Sequence, residues 1–393
     1  MSGITALGTT YNLPNYTGPL IGLTPASTPF FSAIGGLTGG RQCTSTEFEW
    51  QTFDLRNPAQ NVALEGAAAP TAQERVRGNV TNVVQIQQEK VAVSYSKLAA
   101  TGLKAGSNND LTNPVTNELN WQVEQTLKQM KRDIEFSFLL GTYQKPTDNS
   151  TARKTRGLLP AITTNLTANA TSTITGLSAA TDTITETSTG LANGDKIIFT
   201  DIGASTELVV GRVYYVVSKS TNAFKVALTS GGTAVTIGTA TVAYRKPWTT
   251  TLTTDHVGDL LQMVFNSGGI GDADTATLLV GGTQKRAVSK AFASAYGQYT
   301  ETNRRVGGVS VDQIVTDFGT LNVMLSRDVP QDSIAVVSLD QCAPVFLETP
   351  GKGHFFAEPL AKTGASEDVQ LYGEVGLAYG SEKAHGLYTG LKV

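Results

Sequence analysis

The chain has 393 residues, which is enough to bury a sizeable core and to form two or three domains. Charged residues make up 16%, below the usual ~25%, and 40 glycines among many Thr, Ala and Val residues indicate β structure and turns. The formal net charge is −3, and the sequence shows no basic tail or strongly basic domain that would indicate nucleic-acid binding.

Targeting and redox signals are absent from the sequence. The first residues have neither a basic start nor an apolar core, so no signal peptide is predicted, and no run approaches the ~20 apolar residues of a membrane helix. Cys43 and Cys342 have no partner at metal-ligand spacing. A disulfide between them stays open, but a reducing compartment is the simpler interpretation. We therefore expect a protein made in a cytoplasm, with no membrane partner.

Residues 1–44 are predicted to form an N-terminal arm. The polar stretch at 1–23 has no hydrophobic period and cannot offset the entropy of its own ordering, so we expect it to become ordered only against another surface. Residues 24–36 (TPASTPFFSAIGG) predict a short helical turn between prolines and glycines.

Residues 45–96 are predicted to form an extended β-hairpin loop. The first strand (STEFEWQTFDLR) alternates, with Phe48 and Trp50 on one face. The second strand, at 80–96, changes parity, so we expect a bulge or a sharp twist near 87–90. A hairpin of this length has little core of its own, and we expect it to lie on an adjacent subunit.

A Gly/Ala/Pro-rich tip at 57–70 separates these strands. It carries Glu65, and the chain returns through two arginines, which are candidates for ion pairs between subunits. The side chains that we expect at inter-subunit contacts, or in the case of the two aromatic ones against the host domain, are Phe48, Trp50, Glu65, Arg75 and Arg77.

One long helix is predicted at 113–141 (NPVTNELNWQVEQTLKQMKRDIEFSFLLG), within a domain at 97–164. Its apolar side chains recur at three- and four-residue steps. Asn113 and Pro114 are typical of a helix start, and Gly141 is predicted as the left-handed residue after its end. The opposite, charged face carries Glu118, Glu124, Lys128, Lys131, Arg132 and Glu135, with Glu124 and Lys128 spaced for an ion pair.

The composition changes at residue 165. From there to 244 the sequence is rich in Thr, Ala and Gly, and it contains no His, no Cys and no helical period. We interpret 165–249 as a small all-β domain inserted in a loop, with Tyr214, Val216 and Phe224 in its core. Strands are predicted at 196–200, 207–210, 212–218 and 223–228.

Residues 250–393 alternate helical and strand patterns. Helices are predicted at 255–266 and 283–296, each with an apolar stripe. Strands are predicted at 277–280, 309–315, 320–325, 334–337, 343–347, 369–371, 376–379 and 384–392. The predicted fold class is therefore α+β.

The order of these parts resembles the major capsid proteins of tailed phages, with the Hong Kong 97-type fold. The similar stretches are TPFFSAIGG at 28–36, STEFEWQ at 45–51, NVVQIQQEKVAVS at 82–94, LVGG with its Lys-bearing helix at 279–285, TDFGTLNVMLSRDVP at 316–330 and GEVGLAYGSEKAHGLYTGL at 373–391. The resemblance implies an N-arm, an extended loop, a peripheral domain with a long spine helix, and an axial domain. The inserted β domain has no counterpart in it.

The resemblance also implies a function. It implies self-assembly through hexamers and pentamers into an icosahedral head that encloses double-stranded DNA, held non-specifically on the inner face. Expected further partners are portal, scaffolding and decoration proteins, and the expected location is the virion, assembled in the bacterial host cytoplasm. The tip contains no lysine, so no covalent crosslink from the tip is expected.

Other chemistry has weak support in the sequence. His256, His354 and His385 are isolated, so no catalytic residue is predicted and the chain is not expected to be an enzyme. Asp272 and Asp274 have incomplete spacing for Ca²⁺, and neither a metal nor a cofactor is expected. The alternative function is a phage tail or decoration protein, favoured by the β-rich insertion. A secreted carbohydrate-active enzyme is disfavoured by the missing signal peptide and the missing pair of carboxylates.

Overall fold

The computed structural model describes residues 27–56, 58–72, 74–99, 117–174, 176–186, 189–203, 205–238, 240–270, 276–295, 312–361 and 364–393. The arm predicted at 1–23, the predicted helix start at Asn113 and Pro114, and the two aspartates at 272 and 274 lie outside these residues.

Helices and strands both contribute, as the predicted α+β class requires. The α-helices are α1 (Pro29–Ala33), α2 (Tyr95–Ala99), α3 (Glu118–Leu140), α4 (Leu158–Ala161), α5 (Thr254–Asn266) and α6 (Gly282–Ala295). The strands up to the end of the inserted region are β1 (Arg41–Cys43), β2 (Glu47–Phe53), β3 (Arg77–Val83), β4 (Gln85–Ser94), β5 (Leu166–Thr167), β6 (Thr171–Ile174), β7 (Gly176–Ser178), β8 (Thr183–Thr185), β9 (Lys196–Asp201), β10 (Val213–Val217), β11 (Ala223–Ala227) and β12 (Val242–Arg245). The remaining strands are β13 (Ala276–Val280), β14 (Gln313–Thr316), β15 (Gly319–Leu325), β16 (Ile334–Val337), β17 (Ala343–Leu347), β18 (Phe355–Pro359), β19 (Ser366–Ala378) and β20 (Gly386–Tyr388).

The chain divides into two compact units. The described part of the first unit consists of residues 27, 87–99, 117–132, 355–361 and 364–372. The second unit contains the other described residues. The strands β4 and β19 and the helix α3 contribute residues to both units.

In the first unit, β4 and β18 both pair with β19. Lys90 on β4 forms an ion pair with Asp368 on β19 at 2.7 Å, and the Asp368 carboxylate also accepts a hydrogen bond from the Ser366 hydroxyl. These two donors lower the pKa of Asp368. The first half of α3 begins after Asn117, whose Oδ1 accepts a hydrogen bond from the Asn120 N–H at 3.1 Å. This hydrogen bond is of the kind that caps a first helical turn, at the point where the described part of α3 begins.

A six-stranded sheet forms the main core of the second unit. Its order is β14-β15-β13-β16-β20-β5, and α5 and α6 pack on it. The predicted inward stripe of α5 is buried at Val257, Leu260, Leu261 and Val264. Phe265 was predicted to share that stripe, but it is 41% exposed and its ring lies 5.4 Å from Phe318. In the last turn of α5 the buried face is therefore narrower than the apolar periodicity of the sequence predicts.

The inserted region forms a separate seven-stranded antiparallel sheet, in the order β6-β12-β9-β10-β11-β8-β7. Its first and last strands are consecutive in the chain, because β6 ends at Ile174 and β7 begins at Gly176. The sheet therefore curls towards itself, and we call this sheet with its core the inserted barrel. Tyr214, Val216 and Phe224 are buried inside it, as predicted. The prediction of a strand at 207–210 is wrong: this stretch is a loop with Leu208 buried and Val209 exposed.

The end of α3 corrects two predictions. Glu135, assigned to the exposed face, is fully buried and accepts hydrogen bonds from the backbone N–H groups of Phe30 (3.1 Å) and Phe31 (2.6 Å) and from the Ser326 hydroxyl (3.2 Å). Gly141 is not left-handed, since positive φ values occur at other glycines. Glycine is required at this position because the Cβ of any other residue would lie 2.3 Å from the Ser137 carbonyl oxygen. The ion pair between Glu124 and Lys128 is confirmed at 2.7 Å.

The predicted second strand of the hairpin is two strands. It divides at the buried Val84, where β3 ends its pairing with β2 and β4 begins to pair with β19. The change of parity in the sequence therefore marks a change of sheet. The strands predicted at 369–371 and 376–379 belong to one long strand, β19.

Candidate functional site

The hairpin β2–β3 is the candidate site, because it carries all five predicted contact residues on or between its strands. The register runs from Glu47 opposite Val83 to Phe53 opposite Arg77. Along β2 the predicted alternation is confirmed: Phe48, Trp50 and Thr52 are half-buried, whereas Glu49 and Gln51 are exposed.

The base of the hairpin packs on its own chain. The Trp50 indole donates a hydrogen bond to the Gly380 carbonyl at 2.7 Å, and its ring meets Tyr379 edge-on at 5.0 Å. Phe48 stacks on Trp50 at 5.9 Å and covers the backbone of β19, where a Cβ on Gly376 would lie 2.6 Å from the Phe48 ring. The structure thus places both aromatic residues against the host domain. Any contact they make with a second subunit stays a prediction.

Asn82, a residue that the sequence analysis did not single out, fixes β3 to this base. It is fully buried, and its amide donates to the carbonyls of Leu377 (2.7 Å) and Arg156 (3.2 Å). Its Oδ1 accepts from the N–H groups of Arg156 (2.8 Å) and Val83 (2.9 Å). All of its hydrogen-bonding capacity is used, so it determines where the hairpin leaves the host domain. No local pattern distinguishes this asparagine from an exposed one.

Two surface ion pairs flank the base. Glu47 pairs with Lys145 at 2.6 Å and raises the pKa of that lysine, and Asp54 pairs with Lys383 and does the same there. Both pairs are solvent-exposed, so they help to orient the hairpin more than they stabilise it.

Beyond the base, the hairpin opens. After Phe53 the strands separate around an open cavity of about 670 Å³, lined by Asp54, Arg56, Glu74 and Arg75 among others. In the part of 54–76 that the structure describes there is no helix or strand, and the chain makes a turn at Glu65 and Gly66. The large apolar side chains here are exposed to between 66% and 86%: Phe53, Leu55, Val62, Leu64 and Val76.

Two of the three predicted charged contact residues, Glu65 and Arg75, lie on this exposed part, and Arg77 is the first residue of β3. Glu65, Arg75 and Arg77 are all exposed, and no ion pair among the described residues joins Glu65 to either arginine. They therefore have free charge to offer to another surface, and their role between subunits stays a prediction.

The titratable groups elsewhere have structural roles. His256 caps α5 together with Thr253, and His354 lies on the ring of Phe346. His385 is buried between the Ser338 N–H and the Tyr379 carbonyl, and burial lowers its pKa. Cys43 and Cys342 are free thiols, and burial raises the pKa of each.

The described residues contain no group of three or more His, Cys, Asp or Glu side chains suited to a metal ion. In that same part of the chain, no helix is long and apolar enough to cross a membrane.

Comparisons with known proteins agree with this architecture. The family model of the SU10 major capsid protein matches residues 3–392. The chain is similar to the capsid asymmetric unit of Cyanophage A-1(L), with 11% identity, 99% coverage of each chain and a TM-score of 0.54. It is also similar to the capsid structure of the Cyanophage P-SCSP1u, with 9% identity, coverage of 96% of this chain and 92% of that one, and a TM-score of 0.50. At such identities the structures show the fold alone, and they confirm the predicted Hong Kong 97-like class. No curated protein matches the sequence.

Proposed function

Because the chain belongs to the SU10 major capsid protein family, it is a shell-forming capsid protein and a component of the virion, and we propose that its hexamers and pentamers build the icosahedral head of a tailed phage. The family match decides against the alternative of a tail or decoration protein. It also gives no support to a catalytic role, and we propose that the chain is not an enzyme.

The exposed end of the hairpin at residues 53–76, which includes the predicted tip at 57–70 and is called the tip from here on, carries the proposal. Five large apolar side chains between residues 53 and 76 are left in water by the chain itself. Burying one such side chain contributes ~1.5–3 kcal/mol, so a surface that covered several of them would gain substantial free energy. A patch of this kind marks an interaction site, and repeated association requires one on every copy. The occupant we propose is an adjacent copy of this chain.

The charged residues of the hairpin determine how the two subunits are aligned at this contact. Glu65 is negatively charged, Arg75 and Arg77 are positively charged, and all three are exposed. Charges of both signs favour one register between neighbouring subunits. We propose that they form ion pairs across the subunit boundary. Each exposed pair contributes only ~0–1 kcal/mol, which is why the apolar residues carry the association.

The remaining partners follow from charge and from the family. A net charge of −3 suits an inner wall that touches packaged double-stranded DNA without holding it tightly. Portal, scaffolding and decoration proteins are further proposed partners, and the proposed place of assembly is the cytoplasm of the bacterial host.

The proposal is tested by substitution in the tip. Leu55→Ser combined with Leu64→Ser removes two exposed apolar side chains and leaves the core untouched. We expect the free energy of unfolding to stay within about 0.5 kcal/mol, and the yield of spherical particles in electron micrographs to fall about tenfold or more.

The matched control combines Val209→Ser with Leu228→Ser, two exposed apolar residues of the inserted barrel. It should leave particle yield unchanged. Normal yield from the tip variant would contradict the proposal, and so would tubes or isolated rings from the wild-type chain. Loss of particles in the control variant alone would move the contact to the barrel.

A further inference from the structure

Residues 382–393, which we call the clasp segment, begin at the place where the chain enters the seven-stranded barrel. The Glu382 carboxylate accepts hydrogen bonds from the N–H groups of Thr163 (2.9 Å) and Thr164 (3.0 Å) and from both hydroxyls. Partial burial acts to raise the pKa of Glu382, but these hydrogen bonds outweigh it and the pKa is lowered. These hydrogen bonds favour the ionised form of Glu382 and fix it to residues 163–164, where the chain enters the barrel.

Asn165 continues this contact one residue later. Its amide donates to the carbonyls of Lys383 (2.8 Å) and His385 (3.0 Å), and its own carbonyl accepts from the Leu387 N–H at 2.8 Å. The next residues form β5, which pairs in parallel with β20 of the six-stranded sheet. The entry to the barrel is thus tied to the host sheet before the barrel begins.

The exit from the barrel is held by a buried ion pair. Arg245, the last residue of β12, contacts Asp332 through two nitrogen–oxygen pairs at 2.5 and 2.9 Å and also donates to the Ser333 hydroxyl at 3.0 Å. Asp332 is fully buried in the host domain. The clasp segment completes its shell, since the Gly390 N–H donates to the carboxylate at 3.2 Å and the Leu391 N–H donates to the Asp332 carbonyl at 2.9 Å.

The clasp segment then follows the exit and touches the barrel itself. Three further hydrogen bonds join it to barrel or exit residues: Trp248 N–H to the Gly390 carbonyl at 2.6 Å, Lys392 N–H to the Thr250 carbonyl at 3.3 Å, and Lys196 Nζ to the Val393 carbonyl at 2.5 Å. Entry, exit and barrel wall are therefore all bonded to the same twelve-residue segment.

The barrel and the host domain have separate apolar cores. The buried cluster of the barrel and the buried cluster around α5 and α6 have no residue in common. Hydrophobic burial is non-directional, whereas a bidentate Arg–carboxylate pair accepts one geometry. A buried pair is a weak source of net stability but is well suited to fixing one arrangement.

We propose that the clasp segment holds the inserted barrel in one fixed orientation on the host domain, with the Arg245–Asp332 pair setting that orientation. The barrel is then a rigid part of the subunit and not a tethered appendage. Its surface is presented at the same angle on every copy, as repeated contacts in a closed shell require.

Hydrogen exchange on the full-length chain tests this inference. Arg245→Met combined with Asp332→Leu replaces the pair by apolar side chains of similar volume, which avoids an orphaned buried charge. We expect the amides of 165–167, 248–250 and 387–391 to exchange about tenfold faster, while amides of β10 in the barrel and β13 in the host keep their protection.

The control is Arg153→Met with Glu374→Leu, which removes a partly buried ion pair at 2.9 Å between two residues that lie in neither the clasp segment nor the barrel. It should leave exchange at the joint unchanged. Unchanged joint exchange in the Arg245/Asp332 variant would overturn the inference. Equal loss of protection in both cores would also overturn it, because barrel and host would then be one cooperative unit. Glu382→Gln provides a milder variant at the exposed entry, with a smaller acceleration expected at 163–167.

Discussion

At the scale of single residues, Glu135 is the strongest departure from an ordinary amphipathic helix. It follows Ile134 on α3, at the border of the apolar stripe, and meets the first turn of α1. The N–H groups at a helix start have no partner within the helix, and the carboxylate accepts two of them. Phe31 packs edge-on against Phe138 beside it, at 5.6 Å. Glu135 thereby joins the turn at 29–33 to the spine helix.

This carboxyl predicts a specific pH dependence. Desolvation raises the pKa of Glu135 above the ordinary 4.5, and it outweighs the hydrogen bonds from Phe31, Phe30 and Ser326; Asp328 raises the pKa further. The folded state therefore binds a proton before the unfolded state does, and stability contributed by this group rises as pH falls from neutral towards 4.5. In Glu135→Gln this contribution is absent.

The contribution of Glu135 to the free energy of unfolding is measured by urea unfolding at pH 5 and pH 7. The wild type should gain stability relative to Glu135→Gln on going to pH 5, and parallel behaviour of the two proteins would contradict the prediction. Glu135→Ala leaves the N–H groups of Phe30 and Phe31 buried without an acceptor, and it should cost about 2–4 kcal/mol at either pH.

At the scale of elements, the end of α3 is determined by close backbone approach. The Gly157 N–H donates to the Gly141 carbonyl at 2.8 Å, so two chain segments touch without room for a side chain. A Cβ on Gly141 would meet backbone oxygens of Ser137 and Thr155 at 2.3 and 2.6 Å. Neither oxygen belongs to a flexible side chain that could move away.

Gly141→Ala should therefore destabilise the protein by about 2–3 kcal/mol, through forced displacement of packed backbone. The matched control is Gly258→Ala, because Gly258 lies inside α5 with open space where its Cβ would be. That substitution should stabilise by about 0.5–1 kcal/mol, since alanine favours the helix. The free energy of unfolding of both variants is measured by chemical denaturation. Equal changes in the two variants would refute the steric argument.

At the scale of the whole molecule, the inserted barrel meets the host at two adjacent strands. Thr171 on β6 lies opposite Arg245 on β12, and the Asn169 amide donates to the Lys246 carbonyl at 2.7 Å. The ends of the insertion are therefore close enough for a short linker to replace it. Residues 164–167 and Arg245 belong functionally to the joint, so the predicted boundaries at 165 and 249 include host contacts. The placement of these boundaries as domain limits stays a prediction.

Replacing residues 170–244 by a four-residue Gly/Ser linker should keep the host folded, because β5, Asn165 and the Arg245–Asp332 pair remain. Replacing 164–246 instead removes those contacts and leaves Asp332 buried without its arginine, at a cost of about 3–5 kcal/mol. Thermal unfolding of the two deletions should separate them clearly. Similar stability of both deletions would show that the joint contributes nothing to the host.

Much of this protein was determined by local sequence. Periodicity predicted the long helix, the alternating strand β2, helices α5 and α6 and the core of the barrel, because apolar side chains at a fixed step have only one face to bury. The resemblance in the order of these parts was sufficient for the capsid family and its fold. The half-buried position of Phe48 and Trp50 also followed from alternation alone.

Tertiary structure decided what depends on a partner distant in the chain. Glu135 and Asn82 are polar residues whose burial becomes favourable only when Phe30, Phe31, Leu377 and Arg156 present matching groups, and no local pattern contains those partners. Gly141 appeared as a helix end because glycine commonly is one, whereas here a second segment occupies the space of its side chain. The change of parity after Val83 looked like a bulge, because a sequence shows that a strand turns over but not that it joins another sheet. The joint that holds the barrel is built from residues more than eighty positions apart, and only the folded chain brings them together.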